Sequence, residues 1–284
     1  MSMPGHSSSG ADASRPSANT WTARMSSNCS GCDMAYDFSG YNIFISGAGR
    51  GLGRASAIYL AGLGATVAVS DLDETSVNET VAAILATDGK ACGYVADLGV
   101  RAGFLGAAAE FAAACGPLHA MINNASILRY EPIEEVSEET VDLMVGGGLK
   151  TVLWGTQAML AHMDASRGGS IINYASPVSF RGYPRTAVYS AVKGAVLALT
   201  RVMAAELGPR GVRVNALCPG SVPTPGAVAY VDRAEYERRA GTIPLRRLGR
   251  DEDITHAIAF LLGPDASFIN GAVLNIDGGI VAAG

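Results

Sequence analysis

A chain of 284 residues, 49% hydrophobic and only 17% charged, is long enough for one large domain with a sizeable core. Its formal net charge of -5 gives no broad attraction to phosphate backbones or anionic lipid, so nucleic acid and membrane surfaces are disfavoured as partners. Five cysteines, an odd number scattered along the chain, make no disulfide framework.

Residues 1–36 are rich in Ser, Ala, Gly and Asn and read as a disordered N-terminal extension. They lack the apolar core of a secretory signal, and no run approaches about 20 apolar residues, so a cytoplasmic protein is expected. Cys29 and Cys32 form a C-x-x-C, with His6 the closest further ligand candidate. Two incidental thiols in a tail are the preferred reading, and no metal is expected.

From Tyr41 onward, short apolar runs of β type alternate with longer helical stretches. The runs are YNIFIS, TVAVS, ACGYVA, HAMINN, GSIINYA, GVRVNAL and AVLNI, with helices predicted over 51–63, 74–88, 100–115, 137–163, 187–207 and 251–262. This order predicts an α/β fold, a doubly wound Rossmann-type sheet of seven parallel strands with helices on both faces, in a single domain over residues 37–284.

The first strand runs into SGAGRGLG, with Gly47, Arg50, Gly51, Leu52 and Gly53 at the strand-to-helix turn. Glycines there let the backbone approach a pyrophosphate, and the helix N-terminus supplies free N–H groups. The second strand ends at Asp71, whose carboxylate suits ribose hydroxyls and repels a 2′-phosphate, favouring NAD over NADP. Arg50 points the other way, since a guanidinium can hold that phosphate. In the helix predicted over 137–163, Gly146, Gly147 and Gly148 interrupt a stretch in which Leu153 and Trp154 look buried. Each glycine inside a helix costs about 1 kcal/mol relative to alanine, so three together need a reason.

Ser176 is placed at the end of the fifth strand, and Tyr189 and Lys193, four residues apart, on one face of the following helix. An ammonium beside a phenol is expected to lower its pKa, making the tyrosine a proton donor and acceptor, with the serine hydroxyl on the same substrate oxygen. Pro177, Val178, Phe180, Tyr183, Val228 and Tyr230 suggest an apolar or cyclic substrate, and Arg181 and Arg185 are candidates to grip a carboxylate or phosphate. The segment GAVAYVDRAEYERRAG adds a short helix of the kind that covers a ligand.

With these motifs in order, the chain from about residue 37 to its end resembles the short-chain dehydrogenase/reductase family. The family's T-G-x-x-x-G-x-G appears with Ser46 for threonine, its N-N-A-G as Asn123, Asn124, Ala125 and Ser126, and its catalytic serine, tyrosine and lysine as Ser176, Tyr189 and Lys193. The resemblance implies that Asp97 and Leu98 flank the adenine. It also implies that Pro219, Gly220, Val222 and Thr224 belong to a P-G-x-V-x-T motif in which the valine and threonine contact the nicotinamide amide.

By the same resemblance, the chain is expected to be an oxidoreductase interconverting a secondary alcohol and a ketone with NAD, NADP being less favoured. A dimer or tetramer built through the long fourth and fifth helices is likewise implied. The alternatives are an NADPH-dependent carbonyl reductase, and a nucleotide-binding homologue impaired in catalysis. The last arises because Gly148 stands where the family keeps an asparagine, whose side chain holds a kinked turn and whose carbonyl binds a water leading from the lysine to solvent. Either the kink survives and cofactor or substrate uses the vacated space, or the relay is weakened. Gly148→Asn is expected on this reading to stabilise the helix and, where the relay is the weak link, to speed turnover.

Overall fold

The predicted strands form a single seven-stranded sheet in the order β3-β2-β1-β4-β5-β6-β7, every neighbouring pair parallel. The strands are β1 (Asn42–Ser46), β2 (Thr66–Asp71), β3 (Lys90–Val95), β4 (Ala120–Asn123), β5 (Gly169–Tyr174), β6 (Val212–Pro219) and β7 (Val273–Ile276). This computed structural model describes residues 36–224 and 233–283. The N-terminal extension up to residue 35, the C-x-x-C, Val228 and Tyr230 lie outside the described residues.

Strand periodicity sorts the core onto the two faces. Ile43 and Ile45 of β1 pack with Val67 and Val69 of β2 under helices α1 (Gly51–Gly62) and α8 (Asp251–Leu262). Phe44 between them faces the other way, joining Ala68, Met121 and Ile171 under α3 (Arg101–Cys115), α5 (Thr151–His162) and α6 (Ala187–Leu207). Helix α2 (Glu74–Leu85) is started by Asp73, whose side chain accepts from the Thr75 N–H, and α4 (Glu138–Val145) by Ser137, which accepts from Thr140 N–H. Such caps are worth about 1 kcal/mol each. Helix α7 (Arg233–Thr242) forms within the segment expected to cover a ligand.

The long helix expected over 137–163 is interrupted where the glycines stand: α4 passes into a π-helical turn, Gly146–Lys150, before α5 continues. Gly146 has ordinary helical angles (φ -57, ψ -59), so left-handed backbone is not the reason for glycine. Close approach is the reason at two of the three. A Cβ on Gly147 would lie 2.8 Å from Ile127 Cγ1, and one on Gly148 2.7 Å from Val192 Cγ1, whereas Gly146 faces open space. Leu153 and Trp154, expected to be buried, are half-buried. The Trp154 indole donates to the Gly99 carbonyl at 3.1 Å and lies under the Arg101 guanidinium, tying α5 to the start of α3.

Among the described residues one helical stretch, Ala187–Arg210, is long and apolar enough to cross a membrane by length and composition alone, although Lys193, Arg201 and Glu206 interrupt its apolar residues. Its buried face, including Val196, Leu197, Met203 and Leu207, packs on β5 and β6.

Candidate active site

The helical connections leave the sheet in opposite directions on either side of the β1–β4 pair, which opens a crevice beyond the carboxyl ends of the strands. A cleft of about 2020 Å³ lies there, reaching from Asp71 and Asp97 past the glycine turn to Ser176 and Tyr189.

At its centre the turn after β1 has Gly47 and Gly51 at φ 66 and 57, conformations that side chains resist. Gly53 is required for a different reason, because a Cβ there would overlap the Gly47 carbonyl oxygen. Arg50 precedes α1 without capping it through its side chain, and the first turn of α1 carries no acid, so its N–H groups suit a pyrophosphate. Asn124 holds the turn, donating to the carbonyls of Ser46 and Gly47 at 3.1 and 2.8 Å, while Ser46 Oγ accepts from the N–H groups of Asn124 and Ala125, both at 3.1 Å. The Asp71 carboxylate accepts from Gly49 N–H at 3.1 Å and Leu72 N–H at 2.8 Å, fixing it at the end of β2. Asp97 accepts from Gly99 N–H at 2.9 Å, and Leu98 is at once cleft lining and core. Pro219, Gly220, Val222 and Thr224 line the cleft from the end of β6.

Ser176 lies two residues beyond the end of β5 and begins the short helix Pro177–Ser179, so it follows the strand where the pattern had it ending one. Its hydroxyl borders the cleft beside the Tyr189 phenol and favours the phenol's charged form. Lys193 is 3% exposed and donates from Nζ to the Tyr174 carbonyl at 2.8 Å.

A family model described as enoyl-(acyl carrier protein) reductase matches residues 47–281. The 2-(S)-hydroxypropyl-CoM dehydrogenase 3 of Xanthobacter autotrophicus is 36% identical, the match covering 84% of this chain and 96% of that protein. Cyclopentanol dehydrogenase of Comamonas sp. is 33% identical with the same coverage of 84% and 96%. The short-chain dehydrogenase/reductase of Serratia marcescens matches with a TM-score of 0.81 at 31% identity, over 87% of this chain and 100% of its own.

The chain belongs to the short-chain dehydrogenase/reductase family.

It is thus an NAD(P)-dependent oxidoreductase of the alcohol dehydrogenase and ketone reductase type. Against the family pattern, two expectations need correction. The phenol is not lowered by the lysine: burial pushes Tyr189 up to about 12, the Ser176 hydrogen bond opposing and Tyr130 and Cys218 adding to the rise. The Lys193 Nζ is engaged at the Tyr174 carbonyl, 5.8 Å from the Tyr189 ring centroid, and burial lowers its own pKa to about 8. The second correction concerns Gly148. Gly146 and Gly147 line the cleft but Gly148 does not, and Val192 fills the volume directly beside it.

On the substrate side Pro177, Val178 and Tyr183 line the cleft, while Phe180 is 46% exposed and stands outside its lining. Arg181 and Arg185 are held by main-chain carbonyls, of Ile280 at 2.6 Å and Tyr130 at 3.3 Å. Two residues that the pattern did not single out, Tyr130 and Arg239, reach the same cleft from the loop after β4 and from α7. Tyr130 sits in no periodic run or recognisable motif, and for Arg239 the only signal was its place in the segment GAVAYVDRAEYERRAG. Among the described residues no group of three or more His, Cys, Asp or Glu is arranged to hold a metal ion.

Proposed function

We propose that the protein interconverts a secondary alcohol and a ketone with a preference for NAD, Tyr189 exchanging the proton with the substrate oxygen. The observation that carries this reading is the meeting of Ser176, Tyr189 and Lys193 in one cleft with the glycine turn and Asp71. The residues fit a dinucleotide: the α1 N-terminus and glycine turn for the pyrophosphate, Asp71 for the adenosine ribose, Asp97 and Leu98 beside the adenine, Lys193 for the second ribose, and Val222 with Thr224 for the nicotinamide amide. The bound nicotinamide supplies hydride transfer to and from the substrate carbon.

The protein's own part is proton management and orientation. Ser176, beside the phenol in the cleft, is placed to share the substrate oxygen with it. In ketone reduction Tyr189 donates its proton; in alcohol oxidation it must accept one. With the phenol pushed up to about 12, its basic form is scarce at neutral pH and grows about tenfold per pH unit. Alcohol oxidation, followed as kcat/KM, should therefore climb from pH 7 to 9 while ketone reduction does not. A flat oxidation profile would assign the proton to another group.

Cofactor choice is tested at Asp71. Asp71→Ala should weaken NAD binding by about 1.5–3 kcal/mol, the worth of a hydrogen bond to a charged acceptor, and narrow the gap to NADP. Fluorescence titration of NADH and NADPH reads both. Tighter NADPH binding by the unmodified protein would favour the carbonyl reductase reading instead, for which Arg50 in the cleft lining is the supporting residue.

A further inference from the structure

The segment after β7 lies against the reacting end of the cleft. Gly220, in the P-G-x-V-x-T motif, donates from its N–H to the Ile276 carbonyl at 2.9 Å, and a Cβ on it would stand 2.6 Å from Asp277 Cα. Beyond β7 the backbone turns at Gly278 and Gly279. The buried Asp277 carboxylate fixes this turn, one oxygen accepting from Gly279 N–H and the other from Val281 N–H, both at 2.8 Å. Ala283 N–H donates to the Gly279 carbonyl at 3.0 Å, and Leu245 N–H donates to the Gly278 carbonyl at 3.1 Å.

A different loop holds the far side of the turn. Arg181, between Ser176 and Tyr189 in sequence, donates from Nη1 to the Ile280 carbonyl at 2.6 Å, and its guanidinium lies over the Tyr183 ring, 5.9 Å from the centroid. The turn therefore bridges two segments, one proposed to meet the nicotinamide and one joining the two residues proposed to share the substrate oxygen. Ile280 is half-buried on this bridge and lines the cleft with Val178, Tyr183 and Pro184. A β-branched side chain has few rotamers, and here its own carbonyl and the N–H groups of both neighbours are bonded, so it presents a wall of fixed shape. Such a wall sorts substrates by size, because one carbon more or less in an apolar pocket is worth about 10–200-fold.

We propose that Ile280 is a specificity-determining residue that bounds the hydrocarbon part of the alcohol substrate, and that Arg181 is the positioning residue that keeps it at the cleft. The inference rests on the alcohol–ketone reading of the site. It assigns Arg181 to the protein's own main chain and leaves the size of the substrate to Ile280.

The test measures kcat/KM with NAD for cyclohexanol and 4-tert-butylcyclohexanol. Ile280→Ala should raise the ratio of the large to the small alcohol at least tenfold, through KM more than kcat, and Ile280→Phe should lower it. Arg181→Met should shift the ratio in the same direction as Ile280→Ala, with Arg181→Lys restoring part. The two changes together should fall short of the product of their single effects, since both act on one wall. A ratio that neither Ile280→Ala nor Ile280→Phe moves overturns the wall, and effects that multiply in full overturn the role of Arg181. Amide hydrogen exchange over residues 277–283 should quicken at least tenfold in Arg181→Met; unchanged exchange overturns that role whatever the substrate. A separate arm measures calorimetric binding of cyclohexanone and 4-tert-butylcyclohexanone to the NAD-loaded protein, in which the oxidised cofactor has no hydride to give. If Ile280→Ala tightens the large ketone over the small at least tenfold while no alcohol is turned over, the wall stands and the alcohol–ketone reading fails. If alcohols are turned over and neither ratio moves, that reading stands and the wall fails.

Discussion

Gly148→Asn is expected to lower the melting temperature and slow turnover, and shortening Val192 should relieve both. Two effects oppose each other at this position. Removing a glycine from a helix gains about 0.5–1 kcal/mol. Against that, the new Cβ would start 2.7 Å from Val192 Cγ1, on a residue that is 3% exposed. A β-branched side chain has little freedom to turn away, and overpacking a tight contact costs about 1–3 kcal/mol. The clash wins, reversing the expectation drawn from the family's asparagine. Each kcal/mol lost should lower the melting temperature by about 2–4 °C for a domain of this size.

The catalytic consequence comes from where Val192 sits. It directly precedes Lys193 and lies three residues after Tyr189 on α6, so a displaced valine carries the reacting side chains with it. Val192→Ala alone should also destabilise, by leaving a void beside Gly148. Combined with Gly148→Asn it should be better than the sum of the single effects, a coupling that a double-mutant cycle measures. The idea fails if Gly148→Asn alone melts higher and turns over faster than the unmodified protein.

Tyr189→Phe should reduce turnover about 10²–10⁴-fold while leaving NADH affinity nearly unchanged. The ring still lines the cleft and only the proton-carrying oxygen is lost. Lys193→Ala should behave differently and harm binding and turnover together. It removes the group proposed to meet the nicotinamide ribose and leaves the Tyr174 carbonyl without its 2.8 Å donor. Absorbance assays of alcohol oxidation, set beside NADH titrations of each variant, separate the two patterns. A Tyr189→Phe enzyme keeping more than a few percent of its activity would move the proton chemistry to another residue.

By itself the sequence determined the number and parallel direction of the seven strands, the glycine turn, Asp71 at the end of the second strand, and the placing of Tyr189 and Lys193 on one helix face. These are local properties. Period-2 and period-3.6 patterns, turn glycines and i, i+4 spacing are set by neighbours along the chain, and parallel strands joined by helices have few alternative arrangements. Only the tertiary structure decided the features that depend on segments far apart in sequence. Gly148 could not be read correctly without Val192, 44 positions later, since the two meet only when α6 packs across the π turn. The state of Tyr189 likewise depends on how deeply the folded chain encloses it, and spacing to a lysine cannot report that burial. Tyr130 carries no pattern, and Arg239 only its place in the segment expected to cover a ligand; a loop after β4 and a helix more than 100 residues further on line one cleft because the sheet brings both to its carboxyl end.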